Sequence, residues 1–539
     1  MGPGRDGDTM KNGHQAPAHP ALDDGPERPP DAGRRRHAER SLARTTVITG
    51  AITACAALLG LARDQTVAHL FGAGPETDAF LVSWTVPEFA STLLIEDAMA
   101  LVLVPAFSLA LARREPVQAL VRATLPPLLG ALALLTVVLV LAAAWLVAVL
   151  APGLPEQALA ADCTRLTATC AFTFGLAGYC SAVLRAHRSF ALPAAIYVAY
   201  NLGIIAVALT AGPHWGVRAA AAGVALGGCL MVLVQLPALR RRVRLREDAG
   251  RLGGTGPRLG IGLLAPVIVF AAGRQSQVLV ERFLAAPLPA GAISHLNYAQ
   301  KVAQMPMVLA MMLCTITFPV IARALARGDA EAAGRRMERD LMLAAVVVLT
   351  GATTVVACAP QIVEILFQRG AFDADDTVAT ASVMRVYALG LLGHTLVGAL
   401  VRSYFSAARP TWYPAAAMAA GLAANVLAGL ALAHVWGAHG IAAANAFGIT
   451  VTAVLLLRGL GRYTVTVATR QIAGRLARLT AAALAATGTG WAAAAFVGPP
   501  VLAVAAGAAA CTGVFLAAGR SLRVAVIPLP RKREHAVHS

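Results

Sequence analysis

The sequence predicts an all-α integral membrane protein with about 14 transmembrane helices, arranged as two parallel six-helix lobes followed by two C-terminal helices. Three observations predict it. Apolar stretches long enough to cross a bilayer, about 20 residues each, recur from Thr45 to Ala518. Every second gap between them is rich in arginine. Short motifs at the ends of the stretches return at constant offsets, as an internal repeat would require.

The spans centre on Leu58, Leu93, Val138, Phe174, Leu202, Leu226, Val269, Leu309, Val348, Leu391, Ala420, Phe447, Leu484 and Ala505. Between them the arginine-rich gaps contain Arg113/Arg114/Arg122, Arg185/Arg188, Arg240/Arg241/Arg242, Arg323/Arg327/Arg335, Arg402/Arg409 and Arg458/Arg462/Arg470. The gaps Gly72–Thr77, Pro152–Asp162 and Ala285–Pro289 are short and arginine-poor, and Asp373–Asp376 is acidic. Cytoplasmic loops carry the Lys/Arg excess, so the alternation predicts a multi-pass protein of the inner (plasma) membrane with both termini cytoplasmic. Residues 1–42, rich in Pro, Gly, Asp, Arg and His, predict a disordered N-terminal tail. The first six-helix lobe is expected over 43–240, a linker with Gly253-Gly254 and Pro257 over 241–258, and the second lobe over 259–462. Two additional transmembrane helices should fill 463–520, followed by a basic tail over 521–539.

The repeat rests on three pairs. Val104-Pro105 with Ala110–Arg113 returns as Phe318-Pro319 with Ala324–Arg327. Pro193 and Trp215-Gly216 return as Pro414 and Trp436-Gly437. Ala151-Pro152 has a counterpart in Ala359-Pro360. Equivalent points lie six spans apart, so the copies share one topology and a site is expected between them.

Composition excludes other classes. The chain is 58% hydrophobic and 14% charged, with a net charge of +17 and a mean hydropathy of +0.66. The arginines sit beside spans, where they meet anionic membrane lipid, so no nucleic acid is expected as a partner. Only Lys11, Lys301 and Lys532 are lysine. The eight cysteines lie in or beside apolar stretches with no C-x-x-C pair, and read as small buried hydrophobes. No P-loop, H-E-x-x-H or G-x-S-x-G is present, which predicts neither an enzyme nor a cofactor or metal site.

Charges within spans are the candidates for function, because each costs about 2.5–3.5 kcal/mol at a helix centre unless a partner or a wet cavity receives it. Arg63 and Asp64 fall on the first span, and Asp78, Glu88, Glu96 and Asp97 on the second. Arg274, Glu281 and Arg282 fall on the seventh, Lys301 on the eighth, and Arg385 and His394 on the tenth. Ser294, Asn297, Lys301 and Gln304 form one polar stripe at helical spacing, as do Arg274, Gln277 and Glu281. A cavity for a polar or anionic headgroup and a set of ion pairs joining helices both fit these stripes. Pro87 and Pro306 should kink the second and eighth spans, as a moving gate requires.

The run Gly60–Asp64, Phe71–Gly74, Thr77–Phe80, Pro87, Glu96 and Val104-Pro105 resembles the MurJ (MviN) lipid II flippase family. Tyr298-Ala299, Pro306, Phe318-Pro319 and the 14-span plan extend the resemblance. It implies the fold of the MOP exporter superfamily and a transporter of peptidoglycan biosynthesis, moving lipid II to the outer leaflet by alternating access. Arg63, Lys301, Arg274, Asn297 and Gln304 are then the expected substrate-binding residues. Asp64, Asp78, Glu88, Glu96, Pro87 and Pro306 are expected to position charge or gate the cavity. The implied partners are a polyprenyl-pyrophosphate-linked glycan precursor, membrane lipids and cell-wall synthesis proteins. The chain departs from the family pattern where that pattern carries charge, at Ala57, Thr85, Ser91-Thr92, Gln300 and Gln304. Export of another polyprenyl-linked or amphiphilic substrate, and a scaffold that transports nothing, therefore stand as alternatives.

Overall fold

The computed structural model describes residues 32–113, 117–244, 261–312, 314, 329–405, 411–463 and 468–521. Among them every regular element is helical. Nine helices are long and apolar enough to cross a membrane. A tenth course is the pair Ala374–Ala388 and Leu391–Phe405, bent by 47°. The remaining courses of the predicted plan are also helical but are charged or broken. They are residues 75–112, Ile261–Ala285 with Arg274, Glu281 and Arg282, residues 292–312, and Thr469–Ala495 with Arg470, Arg475 and Arg478.

The first half opens with α1 (Ala32–Phe71). This helix starts inside the segment expected to be a disordered tail. Residues 32–42 contain Ala, Arg, Glu and Leu and no proline, so they extend the first span at little cost. The second span is broken into α2 (Pro75–Ser83), α3 (Thr85–Ala90), a π-helical stretch Ser91–Leu103 and α4 (Val104–Ala112). Pro87 and Pro105 each remove a backbone donor, and both sit in a first helical turn where that donor is not needed. Then come α5 (Val117–Leu141) and α6 (Ala143–Leu150), α7 (Gln157–Ala168) and α8 (Cys170–Ala186), and the long pair α9 (Ala191–Trp215) and α10 (Val217–Arg244).

The second half repeats this order of broken and unbroken courses. It runs through α11 (Ile261–Ala285), α12 (Ala292–Ala303) with helical residues 305–312, and α13 (Ala330–Ala357) with α14 (Ala359–Phe367). It continues through α15 (Ala374–Ala388), α16 (Leu391–Phe405), α17 (Tyr413–Trp436) and α18 (Ala438–Tyr463). The Trp-Gly motifs turn the two long pairs in the same way. Gly216 has φ 57° and ψ −145°, and Gly437 has φ 55° and ψ −131°. Within the pairs the helices touch through glycine: a Cβ on Gly203 would lie 2.9 Å from Gly227 Cα, and one on Gly448 would lie 2.6 Å from Gly421 O.

One pair in the proposed repeat is not equivalent. Ala151 follows the end of α6, whereas Ala359 and Pro360 begin α14, with the proline in its first turn. The matching points are the breaks before these segments, at Ala142 and Cys358. Phe318-Pro319 and most of the expected linker lie outside the described residues. The last two helices, α19 (Thr469–Ala495) and α20 (Pro500–Ser521), pack on each other and on α13.

Candidate functional site

Span one meets span eight at a charge cluster. Arg63 Nη2 and Nε donate to Asp64 Oδ1 at 2.7 and 3.0 Å. Lys301 Nζ reaches Asp64 Oδ2 at 3.1 Å and Oδ1 at 3.2 Å, so one carboxylate serves two cations from opposite halves. The spare Arg63 Nη1 donates to Asn201 Oδ1 at 3.0 Å. Asn201 is held in turn, its Nδ2 donating to the carbonyls of Tyr197 and Ala56 at 2.9 and 3.3 Å. The Trp84 ring, at the break between α2 and α3, lies 4.4 Å from Arg63 Cζ and 5.7 Å from Lys301 Nζ. Such cation–π contacts contribute about 0.5–2 kcal/mol each. Phe80 and Tyr200 flank the indole with ring centroids 5.7 and 6.1 Å away. Glu88, one turn beyond Trp84, acts electrostatically on both cations.

A second inter-half contact forms where the arginine-poor gaps converge. Asp78 accepts from the backbone N–H of Gly291 and of Ser294, both at 2.7 Å, and from Ser294 Oγ at 2.6 Å. A carboxylate of the first half thus caps the N-terminus of α12 in the second, where charge-assisted bonds and the helix dipole favour an anion. Around it Gln65 Nε2 donates to Leu366 O at 2.9 Å, Ala371 N to His69 O at 2.9 Å, and Ala73 N to Asp376 Oδ2 at 3.3 Å. Gly291, with φ 90°, approaches so closely that a Cβ would lie 2.5 Å from Ala73 O. Gly72, with φ 66°, is likewise confined: its Cβ would lie 2.6 Å from Ala371 O.

The expected site residues divide accordingly. Arg63, Asp64 and Lys301 come together, with Glu88 near them. In the span-eight stripe Ser294 and Lys301 both face the first half, and Asn297 is buried with Oδ1 unpaired among the described residues. Gln304 ends α12 at the break that precedes Pro306. Pro306 packs against Gly351, and Pro87 is buried in α3. Glu96 is exposed and accepts from Tyr197 Oη at 3.2 Å, away from the cluster. Arg274 departs from its stripe: Gln277 and Glu281 are buried, whereas Arg274 is exposed. At 100° per residue the three positions are spread around the helix, which leaves room for this split.

Sequence reasoning did not single out Trp84 or Asn201 as parts of the cluster. Asn201 had a signal, as a lone amide in the apolar run Ala191–Trp215. Trp84 had none beyond its position three residues before Pro87. An apolar cavity of about 720 Å³ lies between the halves beside the cluster, lined by Val82, Thr85 and Phe89 on one side and Leu279, Phe283 and Leu430 on the other.

The family model described as lipid II flippase MurJ matches residues 67–504. A lipid II flippase MurJ from Burkholderia cenocepacia is 29% identical over 380 residues, spanning 68% of this chain and 73% of its own. Among solved structures, lipid II flippase MurJ in an inward closed conformation superposes with a TM-score of 0.72 at 17% identity, covering 89% of this chain and 99% of that one. An inward-facing multidrug resistance MATE transporter of the MOP superfamily gives 0.63 at 14% identity, covering 79% and 99%. These two likenesses establish the fold.

Proposed function

The chain belongs to the lipid II flippase MurJ family, and on that premise we propose that it moves lipid II from the inner to the outer leaflet by alternating access. The protein is an integral component of the inner membrane and not an enzyme. The observation that carries the reading is the Arg63–Asp64–Lys301 cluster, which bridges the two halves within the spans. Arg63 offers a planar fork and Lys301 a compact charge, and both suit phosphate oxygens. An arriving pyrophosphate competes with Asp64 for these two cations. Exchange of counter-ions loosens the tie between the halves at the moment of loading, and the Asp78 contact with α12 then has to break for release on the far side. The arginine pattern places that contact on the external face and both termini in the cytoplasm. External labelling of a cysteine placed at Arg242 would contradict this orientation.

Complementation of cells depleted of their own flippase tests the function. The wild-type chain should restore growth, and Lys301→Arg should do so as well. Arg63→Ala and Lys301→Ala should fail at normal membrane levels, because each loses about 1.5–3 kcal/mol of charge-assisted headgroup binding. A specific observation favours a second substrate. Thr85 is buried beside the cluster, and Ser91 bonds to Tyr197 at 3.2 Å, at positions where the family pattern is basic. Fewer cations suit a less charged amphiphile. Failure of the well-inserted wild-type chain to complement would favour that reading over lipid II.

A further inference from the structure

The second half contains a buried polar chain that the headgroup site does not use. Glu281 on α11 is 2% exposed, and its Oε1 accepts from Asn445 Nδ2 of α18 at 2.6 Å. Asn445 Oδ1 lies 3.1 Å from His394 Nε2 of α16. With this amide orientation His394 must donate through Nε2–H, and the chain runs from imidazole to amide to carboxylate. Turning the amide over gives the one other consistent arrangement. Glu281 is then protonated and donates to Asn445 Oδ1, while Asn445 Nδ2 donates to the bare His394 Nε2. The amide therefore locks the state of the imidazole to that of the carboxyl.

Next along α11, Arg282 is also 2% exposed, and its Nε and Nη1 have no hydrogen-bond partner among the described residues. A buried cation beside a buried acid, without a close ion pair between them, is an arrangement whose charge is open to change. The groups facing Glu281 are Arg282, the Tyr387 hydroxyl and Asn445 from the second half, and Glu88 from the first. Arg274 faces His394. Asn445 Nδ2, the Tyr387 hydroxyl and the guanidinium are donors, which suits a carboxyl that gains and loses a proton. A metal cation would need a shell of oxygens.

We propose that Glu281 is a proton-binding site, locked to His394 through Asn445, and that its proton controls the contact between the halves at Asp78. The route is short. The Arg282 carbonyl accepts from Ala286 N at 3.0 Å, and the turn that follows leads to Gly291 and the α12 N-terminus on which Asp78 docks. Arg282 also attracts Asp78 electrostatically. The sign follows from charge. Ionised Glu281 offsets Arg282 and repels Glu88 across the interface, and both effects favour separation. Protonated Glu281 leaves Arg282 free to hold Asp78 and removes the repulsion. The proton therefore binds more tightly to the sealed state, and rising pH opens the Asp78 contact.

The test uses the full chain in lipid nanodiscs, with Cys55 and Cys229 replaced by serine and spin labels on cysteines at Glu156 and Pro289. The separated fraction should rise with pH, by up to about tenfold in the ratio per pH unit for one linked proton. Glu281→Gln should hold the acid-form distance distribution at every pH. Infrared difference spectra between acidic and alkaline buffer should show one carboxyl stretch that is lost in Glu281→Gln. Asn445→Ala should move the midpoint of both titrations, so the site stays testable if Glu281→Gln inserts poorly. An unchanged titration in either variant overturns the proposal, as does a distance change that follows sodium against choline at fixed pH. Neither readout requires a lipid substrate, so failure here and failure of the flippase reading are separate results.

Discussion

Asp64 is the residue on which the charge cluster depends. It neutralises Arg63 and Lys301 together, with its side chain 13% exposed. We expect Asp64→Asn to leave two close cations with one neutral oxygen between them and to destabilise the chain by about 3–5 kcal/mol, as breaking a buried pair does. Thermal unfolding in detergent checks this, and pyrophosphate should raise the variant's melting temperature more than the wild type's. Trp84 makes a milder prediction. Trp84→Phe keeps an aromatic face and should cost under about 1 kcal/mol, whereas Trp84→Leu should lose up to about 2 kcal/mol and weaken binding of a polyprenyl pyrophosphate. Calorimetric titration of both variants distinguishes these outcomes. At this scale the charges were legible because a charge in a span is costly and stands out against its neighbours. Trp84 and Asn201 were not. An indole in an apolar run looks like packing, and only the fold brings residue 201 back to residue 63.

The helices show which parts of the chain bend. Pro87 and Pro306 were readable as interruptions, and the structure has breaks beside both, at Trp84 and Gln304. The π-helical stretch Ser91–Leu103 was not readable, since nothing in its composition separates a five-residue from a four-residue hydrogen-bond step. Nor was the early start of α1 at Ala32, because charge density alone does not distinguish a solvated helix from a coil. Gly291 supplies the test for the end of α12. Gly291→Ala places a methyl group against Ala73 O in a left-handed backbone, at a cost of about 1–2 kcal/mol from the backbone alone. It should wedge the halves apart, and maleimide labelling of a cysteine at Ala73 should quicken without loss of membrane level.

In the whole molecule the two halves are one pattern used twice, and the arginine alternation with the repeated Trp-Gly turns disclosed that from sequence. Contacts between the copies could not be read, since they pair residues more than 200 positions apart by closeness in space alone. Motion between the halves is testable at Gly153 and Pro287, where a Cβ on the glycine would lie 3.5 Å from that of the proline, within disulfide reach. Cysteines at both positions should cross-link under oxidation and stop transport, and reductant should restore it. The Trp-Gly pairs α9–α10 and α17–α18 have a further consequence. Their glycine contacts leave no slack between backbones, while the courses on either side are jointed by breaks. Stiffness is therefore unevenly distributed: each half has one rigid strut and several flexing limbs. An applied load passes through the struts without being absorbed and is released at the joints. A pulling experiment on the single molecule should accordingly yield the jointed courses first and each strut last, as a single step.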